Sequence, residues 1–174
     1  MNKKIILLFN AFLTFVTFIS FKAQVIEDKV TLKEVFKDHY LIGNALNTWQ
    51  ILGKDPKAIE LVKQHFNSIT PENMMKWENI HPKPNQYNFE PVDSFVAFGE
   101  KNKMFIIGHT LVWHNQTPAW FFTDANGKPK TKEAQIERLR EHIKTVAGRY
   151  AGRVHAWDVV NEVIDNDGSY RPTT

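Results

Sequence analysis

Three clusters of polar side chains in this sequence have the composition of a site that works on hydroxyl-rich molecules. The first is Trp157-Asp158-Val159-Val160-Asn161-Glu162. Side chains alternate along an extended strand, so Asp158, Val160 and Glu162 fall on one face. A carboxylic acid kept protonated near neutral pH can donate to a leaving oxygen, and an apolar, aromatic-walled pocket favours that form by disfavouring the anion. Trp113 and Trp157 could supply such walls, and the Asn161 amide could bond a hydroxyl. Taken alone, the Asn161-Glu162 pair also suits an ordinary loop acid that caps a helix. The second cluster is Thr70-Pro71-Glu72-Asn73-Met74-Met75-Lys76-Trp77-Glu78, in which two acids, an amide and a cation follow an apolar run. Those groups could satisfy several hydroxyls at once; equally, glutamates near a helix start offset the macrodipole. The third is Gly108-His109-Thr110-Leu111-Val112-Trp113-His114-Asn115-Gln116. Here Gly108 permits close backbone approach, Trp113 has a flat apolar face on which a ring could stack, and Trp120 further on suits packing. His109 and His114 invite a zinc reading. Five positions apart on a regular strand, they point to opposite faces and cannot easily share a metal.

The elements that must hold these clusters follow a simple alternation. Tyr40 to Leu46 reads as a first strand. Asp55-Pro56 places a capping residue before proline at a helix start, with Ile59, Leu61, Val62 and Phe66 as its apolar face. Ser68 to Asn73 reads as a second strand and the start of its loop. Pro91 opens a second helix with Val92, Phe95 and Val96 on one side. Met104 to Trp113 is a third strand. Thr131 to Ala147 is a third helix, with Ile136, Leu139, Ile143, Val146 and Ala147 at helical spacing, and Val154 to Val160 is a fourth strand. The order β-α-β-α-β-α-β predicts a parallel sheet. A dinucleotide fold should show G-x-G-x-x-G after a strand, and no such run is present. Polar residues crowd the C-terminal ends of the second, third and fourth strands, the ends that form the active face of a (β/α)₈ barrel. The expected fold class is therefore α/β, a (β/α)₈ TIM barrel of which only the first four strands are present. A full barrel takes about 250 residues, so the 174 residues read as a fragment.

Residues 1–23 stand apart. Lys3 and Lys4 precede an apolar run from Ile5 to Phe21 interrupted by Asn10, Thr14, Thr17 and Ser20, and Ala23 follows as a small residue for cleavage. That pattern predicts a secretory signal peptide over 1–23, with 24–174 as the exported domain. The run is short and too often interrupted for a spanning helix. The leader holds three lysines and no acid in a chain of 22 basic and 19 acidic side chains, so the remainder is balanced and nothing suggests a nucleic-acid partner. With no cysteine, disulfides, thiol chemistry and a lipid-modified cysteine are excluded. The expected destination is outside the cytoplasm, extracellular or periplasmic, with no membrane attachment after the leader is removed.

The runs SITPENMMKWE, GHTLVWHNQTPAW and WDVVNEV resemble the motifs of family 10 glycoside hydrolases, chiefly endo-β-1,4-xylanases, and the resemblance extends from about Tyr40 to the end. It implies the N-terminal half of a barrel that cleaves internal β-1,4 bonds of xylan with retention of configuration. It implies Glu162 as general acid/base and Asn161 as partner of the sugar 2-hydroxyl. Glu72, Asn73 and Lys76 match residues that bind sugars on the non-reducing side of the cut; His109, Trp113 and Gln116 match further lining residues of that side, and Asp158 matches an aspartate that orients His109. The implied partner is xylan or a xylo-oligosaccharide, the complete enzyme is expected to be a monomer, and no cofactor or catalytic metal is implied. The family's nucleophile is a glutamate at the end of a seventh strand, which these residues do not include, so the chain alone is expected to be inactive. A related β-1,4-glucanase or cellobiohydrolase, or a non-catalytic carbohydrate-binding remnant, are the alternative readings.

Overall fold

A computed structural model of the protein describes residues 30–171; the expected leader over 1–23 lies outside the described residues. Four strands, β1 (Gly43–Leu46), β2 (Ser68–Pro71), β3 (Phe105–Trp113) and β4 (Ala156–Asn161), form one parallel sheet in the order β1-β2-β3-β4. Among the described residues seven helices punctuate them: α1 (Leu32–Val35), α2 (Thr48–Ile51), α3 (Pro56–His65), α4 (Trp77–Ile80), α5 (Glu90–Lys101), α6 (Ala119–Phe122) and α7 (Lys132–Arg149). The long helices α3, α5 and α7 fall between successive strands, as parallel pairing requires of a crossover. The single-turn helices α2, α4 and α6 all follow strand ends.

Local chemistry accounts for the boundaries. Asp55 accepts from the Ala58 N–H at 3.1 Å with Pro56 at the first helical position, and Thr131 accepts from the Ala134 N–H, each supplying a partner to an otherwise orphan donor. Asn47 and Gln50 cap α2 reciprocally, side chain to backbone, at 3.0 Å in both directions. The core lies between the sheet and these helices. Leu46, Ile69 and Ile106 from the strands meet Val92, Phe95 and Val96 of α5 and Val146 of α7, all fully buried. Gly99 brings α5 close to the sheet, since a Cβ there would lie 2.6 Å from Ile106.

Three sequence expectations need adjusting. The first strand begins at Gly43, not Tyr40, and Tyr40 and Leu41 are exposed ahead of it. Leu61 does not join the apolar face of α3: it is exposed while Val62 beside it is buried. The fourth strand begins at Ala156, because His155 still makes the turn into it. Its N–H donates to the Ile106 carbonyl at 2.8 Å and its ring accepts from the Ile106 N–H at 3.0 Å. Among the described residues β1 and β4 each pair on one side only, and Val159 and Val160 of β4 are half exposed.

Candidate active site

The site assembles where β2, β3 and β4 end. Parallel register sets His109 opposite Asp158 and Trp113 opposite Asn161, with an irregularity in β3 between His109 and Val112. His109 Nδ1 and Asp158 Oδ2 lie 2.8 Å apart, the geometry of a carboxylate that fixes a ring orientation. Four residues further along β3, the Trp113 indole Nε1–H donates to Glu162 Oε2 at 2.9 Å.

Glu162 lies just past β4, with φ of 53°. Strand alternation therefore stops at Asn161, and a left-handed backbone turn aims the Glu162 carboxyl instead. Gln116, after β3, is also left-handed at φ 50°. Non-glycine residues held in this region concentrate at ligand clamps and active sites.

The segment after β2 reaches the same place by side-chain relay. Asn73 Nδ2 donates to Glu72 Oε1 at 3.3 Å, Lys76 Nζ donates to Asn73 Oδ1 at 2.9 Å, and the Lys76 ammonium sits 4.5 Å from the Trp113 ring centroid. Glu72, Asn73, Lys76, Trp113 and Glu162 thus form one continuous line of contacts across three strand ends. Below them Trp77 is buried, stacked on His142 at 3.8 Å with the planes 9° apart. A recess beside Glu162 is lined by Trp77, Trp113, His114, Phe121, Asn161 and Arg171.

Two readings, of Trp157 and Gly108, change, and further contacts appear. Trp157 does not wall the Glu162 carboxyl: it takes no part in that recess and its ring lies on Gly108, where a Cβ would collide with it. The absent Gly108 side chain therefore admits an indole rather than backbone. One face of the Trp113 ring carries the Lys76 ammonium, and its polar edge, not only its flat face, is engaged. Gln116 joins the cluster through its backbone, where its carbonyl accepts from the Glu78 N–H at 2.9 Å. His109 and His114 face different acids, Asp158 and Glu162. Among the described residues no group of three or more His, Cys, Asp or Glu could hold a metal ion.

Two residues that sequence reasoning did not place beside Glu162 stand there. His114 Nε2 is 3.8 Å from Glu162 Oε2. Arg171 donates from Nε to the Glu162 carbonyl at 3.1 Å and pairs with Asp165 at 3.3 Å, pinning the loop that follows β4. Adjacency to Trp113 was a usable signal for His114; no pattern links Arg171 to a residue nine positions earlier.

Comparison with known proteins gives a consistent result. Residues 31–174 match the profile of glycosyl hydrolase family 10. The chain is 45% identical over 149 residues to endo-1,4-beta-xylanase A of Xylanibacter ruminicola, covering 86% of this chain and 40% of that protein. It is 51% identical over 137 residues to a beta-1,4-xylanase of Dictyoglomus thermophilum, covering 79% and 36%. Among solved structures, a GH10 endoxylanase retrieved from sugarcane soil metagenome superposes with a TM-score of 0.78 at 46% identity, over 82% of this chain and 41% of that one. An endo-1,4-beta-xylanase from Caldicellulosiruptor owensensis gives 0.74 at 47% identity, over 82% and 43%. The chain thus spans about two fifths of the length of the relatives it matches.

Proposed function

The chain belongs to glycosyl hydrolase family 10, its four strands being the first four of a (β/α)₈ barrel, and on that premise we propose that it carries the acid/base half of a retaining endo-1,4-β-xylanase. The observation that carries this reading is the Trp113 to Glu162 hydrogen bond at the shared end of β3 and β4. It holds one carboxyl oxygen in place at the mouth where the polar groups converge.

In this mechanism Glu162 protonates the glycosidic oxygen as the bond to the anomeric carbon breaks, then takes a proton from the water that completes hydrolysis. The Trp113 N–H leaves the carboxyl a defined orientation toward the sugar. Asn161, alongside Glu162 in the recess, donates its amide to the 2-hydroxyl, a contact that strengthens in the transition state. Glu72, Asn73 and Lys76 hold hydroxyls of the sugar on the non-reducing side, already ordered by their mutual hydrogen bonds. Asp158 fixes the His109 ring through Nδ1 and leaves Nε2 to bond a sugar hydroxyl. Retention requires a second carboxylate about 5–5.5 Å from the first. The family resemblance assigns that attacking carboxylate to a seventh strand, beyond the four described. Xylan rather than a β-1,4-glucan is favoured by the names of the relatives.

The test measures reducing-sugar release from xylan. The 174 residues alone are expected to release almost none, and a polypeptide continuing them through a complete family barrel is expected to turn over until Glu162→Ala removes the activity. Unchanged turnover in that variant would sink the assignment. Export is proposed with it, supported by the basic, apolar segment 1–23; a secreted protein that still begins at Met1 would contradict the cleavage.

A further inference from the structure

Resting on the acid/base reading of Glu162, we propose that Arg171 is a positioning residue whose guanidinium holds the backbone turn that aims the Glu162 carboxyl. Glu162 is left-handed at φ 53°, a conformation that is costly for a residue with a side chain and persists only where its surroundings impose it. Trp113 bonds the carboxyl, so it selects a side-chain position and not the turn itself. The turn is gripped by the segment that follows. Residues 163–171 double back as a hairpin: the Arg171 N–H donates to the Val163 carbonyl at 2.9 Å, Ile164 bridges Tyr170 in antiparallel fashion, and the Asp165 N–H donates to the Ser169 carbonyl at 2.8 Å. That pairing sets Arg171 beside Val163, and its side chain reaches one residue further back, where Nε donates to the Glu162 carbonyl at 3.1 Å.

The guanidinium is itself anchored. Its Nη2 lies 3.3 Å from Asp165 Oδ1, and both side chains are mostly buried. A planar fork held at one prong fixes the direction of the others, so the Asp165 contact aims Nε–H at the carbonyl. A charged donor also bonds a carbonyl more strongly than a neutral one. Two successive carbonyls, those of Glu162 and Val163, are thus tied to Arg171, one through the side chain and one through the backbone. The peptide that follows Glu162 cannot rotate without breaking one of them. From that fixed backbone the carboxyl meets the Trp113 N–H, 2.9 Å from Oε2. Lys76 is not placed to do the same work, being bonded to Asn73 and lying on the Trp113 ring.

The Trp113 indole N–H resonance in ¹H–¹⁵N NMR of the whole chain reports the aim of the carboxyl, and Glu162→Ala marks where that resonance lies once the bond is lost. Arg171→Met puts a carbon where Nε stood and is expected to move the resonance to the lost-bond position. Arg171→Gln restores an N–H donor at the same distance along the side chain and is expected to return it. Arg140→Ala, which breaks an exposed pair with Glu137 on α7, is the control and is expected to leave it in place. A resonance unmoved in Arg171→Met, not recovered in Arg171→Gln, or equally displaced in Arg140→Ala overturns the proposal. In a polypeptide continuing the chain through a complete barrel, Arg171→Met is expected to lower kcat on xylan roughly tenfold to hundredfold with KM little changed; an unchanged kcat, or a change in KM alone, overturns it as well. If Glu162→Ala keeps its turnover there, the acid/base reading fails, and the indole resonance still decides on its own whether Arg171 holds the turn.

Discussion

His81 and His142 meet inside the fold at 3.2 Å, Nδ1 to Nδ1, with both residues essentially excluded from solvent. Trp77 stacks on His142 and Tyr87 on His81, each at about 4 Å between centroids. One proton between the two Nδ1 atoms satisfies this contact; a second would place two donors face to face. Burial lowers the pKa of His81 to about 4, and burial with repulsion from His81 lowers that of His142 to about 3. An unfolded histidine takes its proton near 6.5, so between 6.5 and about 4 the unfolded chain binds more protons than the folded one. The stabilising effect is complete above 6.5 and is lost as pH falls through that interval. The urea midpoint is expected to be flat from pH 8 to 7 and to fall steadily from 6.5 to 4.5, before carboxylates titrate. A midpoint unchanged down to 4.5 would show that the pair titrates normally.

Gly108 and Gly148 should respond in opposite directions to alanine. A Cβ at Gly108 collides with the Trp157 ring across the β3–β4 ladder, so Gly108→Ala must displace an indole packed against the core, at a cost of about 1–3 kcal/mol. At Gly148, inside α7, a Cβ meets nothing within 4 Å, and Gly148→Ala is expected to stabilise by up to about 1 kcal/mol. Thermal midpoints of the two variants check both signs. A neutral Gly108→Ala would mean that Trp157 repacks freely.

The sheet order and its crossover helices were legible because they rest on periodicity and on the Asp55-Pro56 and Pro91 punctuation, which local physics enforces. The site was legible as a set of segments but not as contacts. Trp113 read as a flat face for a stacked ring without revealing that its N–H reaches Glu162 and its ring carries Lys76, since side-chain torsions are set by neighbours from other strands. Strand alternation placed Glu162 in line with Asp158 and Val160, yet the positive φ of Glu162 itself takes it off that line. Trp157 was assigned to the pocket because it is aromatic and close in sequence; the space left by Gly108 takes it elsewhere. The His81–His142 contact joins residues 61 positions apart and no local pattern could have paired them.

Asp93 ties α5 to α7 and to the residue that ends it. Its carboxylate accepts from Arg149 Nε at 2.9 Å and Nη2 at 2.6 Å, and from the Tyr150 hydroxyl at 2.9 Å, while Tyr150 is fully buried. Tyr150→Phe keeps the packing and removes one hydrogen bond, so a loss of about 1 kcal/mol is expected. Asp93→Ala should cost more, since it removes the partner of Arg149 and also leaves the buried hydroxyl without its acceptor, a penalty of about 1–3 kcal/mol. Urea unfolding of both variants checks the ranking; equal losses would mean that water satisfies Tyr150 once Asp93 is gone. The Arg149 guanidinium holds the Asp93 carboxyl below its ordinary value of 3.8, so this contribution persists in mild acid and disappears only as pH falls through that lowered pKa.

Lys76 links the segment after β2 to Trp113 at the end of β3, and its removal should be felt at both ends. Lys76→Met keeps the length of the side chain but deletes the ammonium that bonds Asn73 and sits over Trp113. If that ammonium also donates to a sugar hydroxyl, the lost charged hydrogen bond is worth about 1.5–3 kcal/mol, or roughly a tenfold to hundredfold weaker affinity. Calorimetric titration with xylotriose is expected to show that loss in Lys76→Met and none in Lys101→Met, a control at an exposed position at the end of α5. Trp113 reports the local half of the effect without any sugar, because withdrawing a cation from an indole face alters its fluorescence. Altered fluorescence with an unchanged xylotriose affinity would confine Lys76 to ordering Asn73 and Trp113, and would remove it from the residues that hold the substrate.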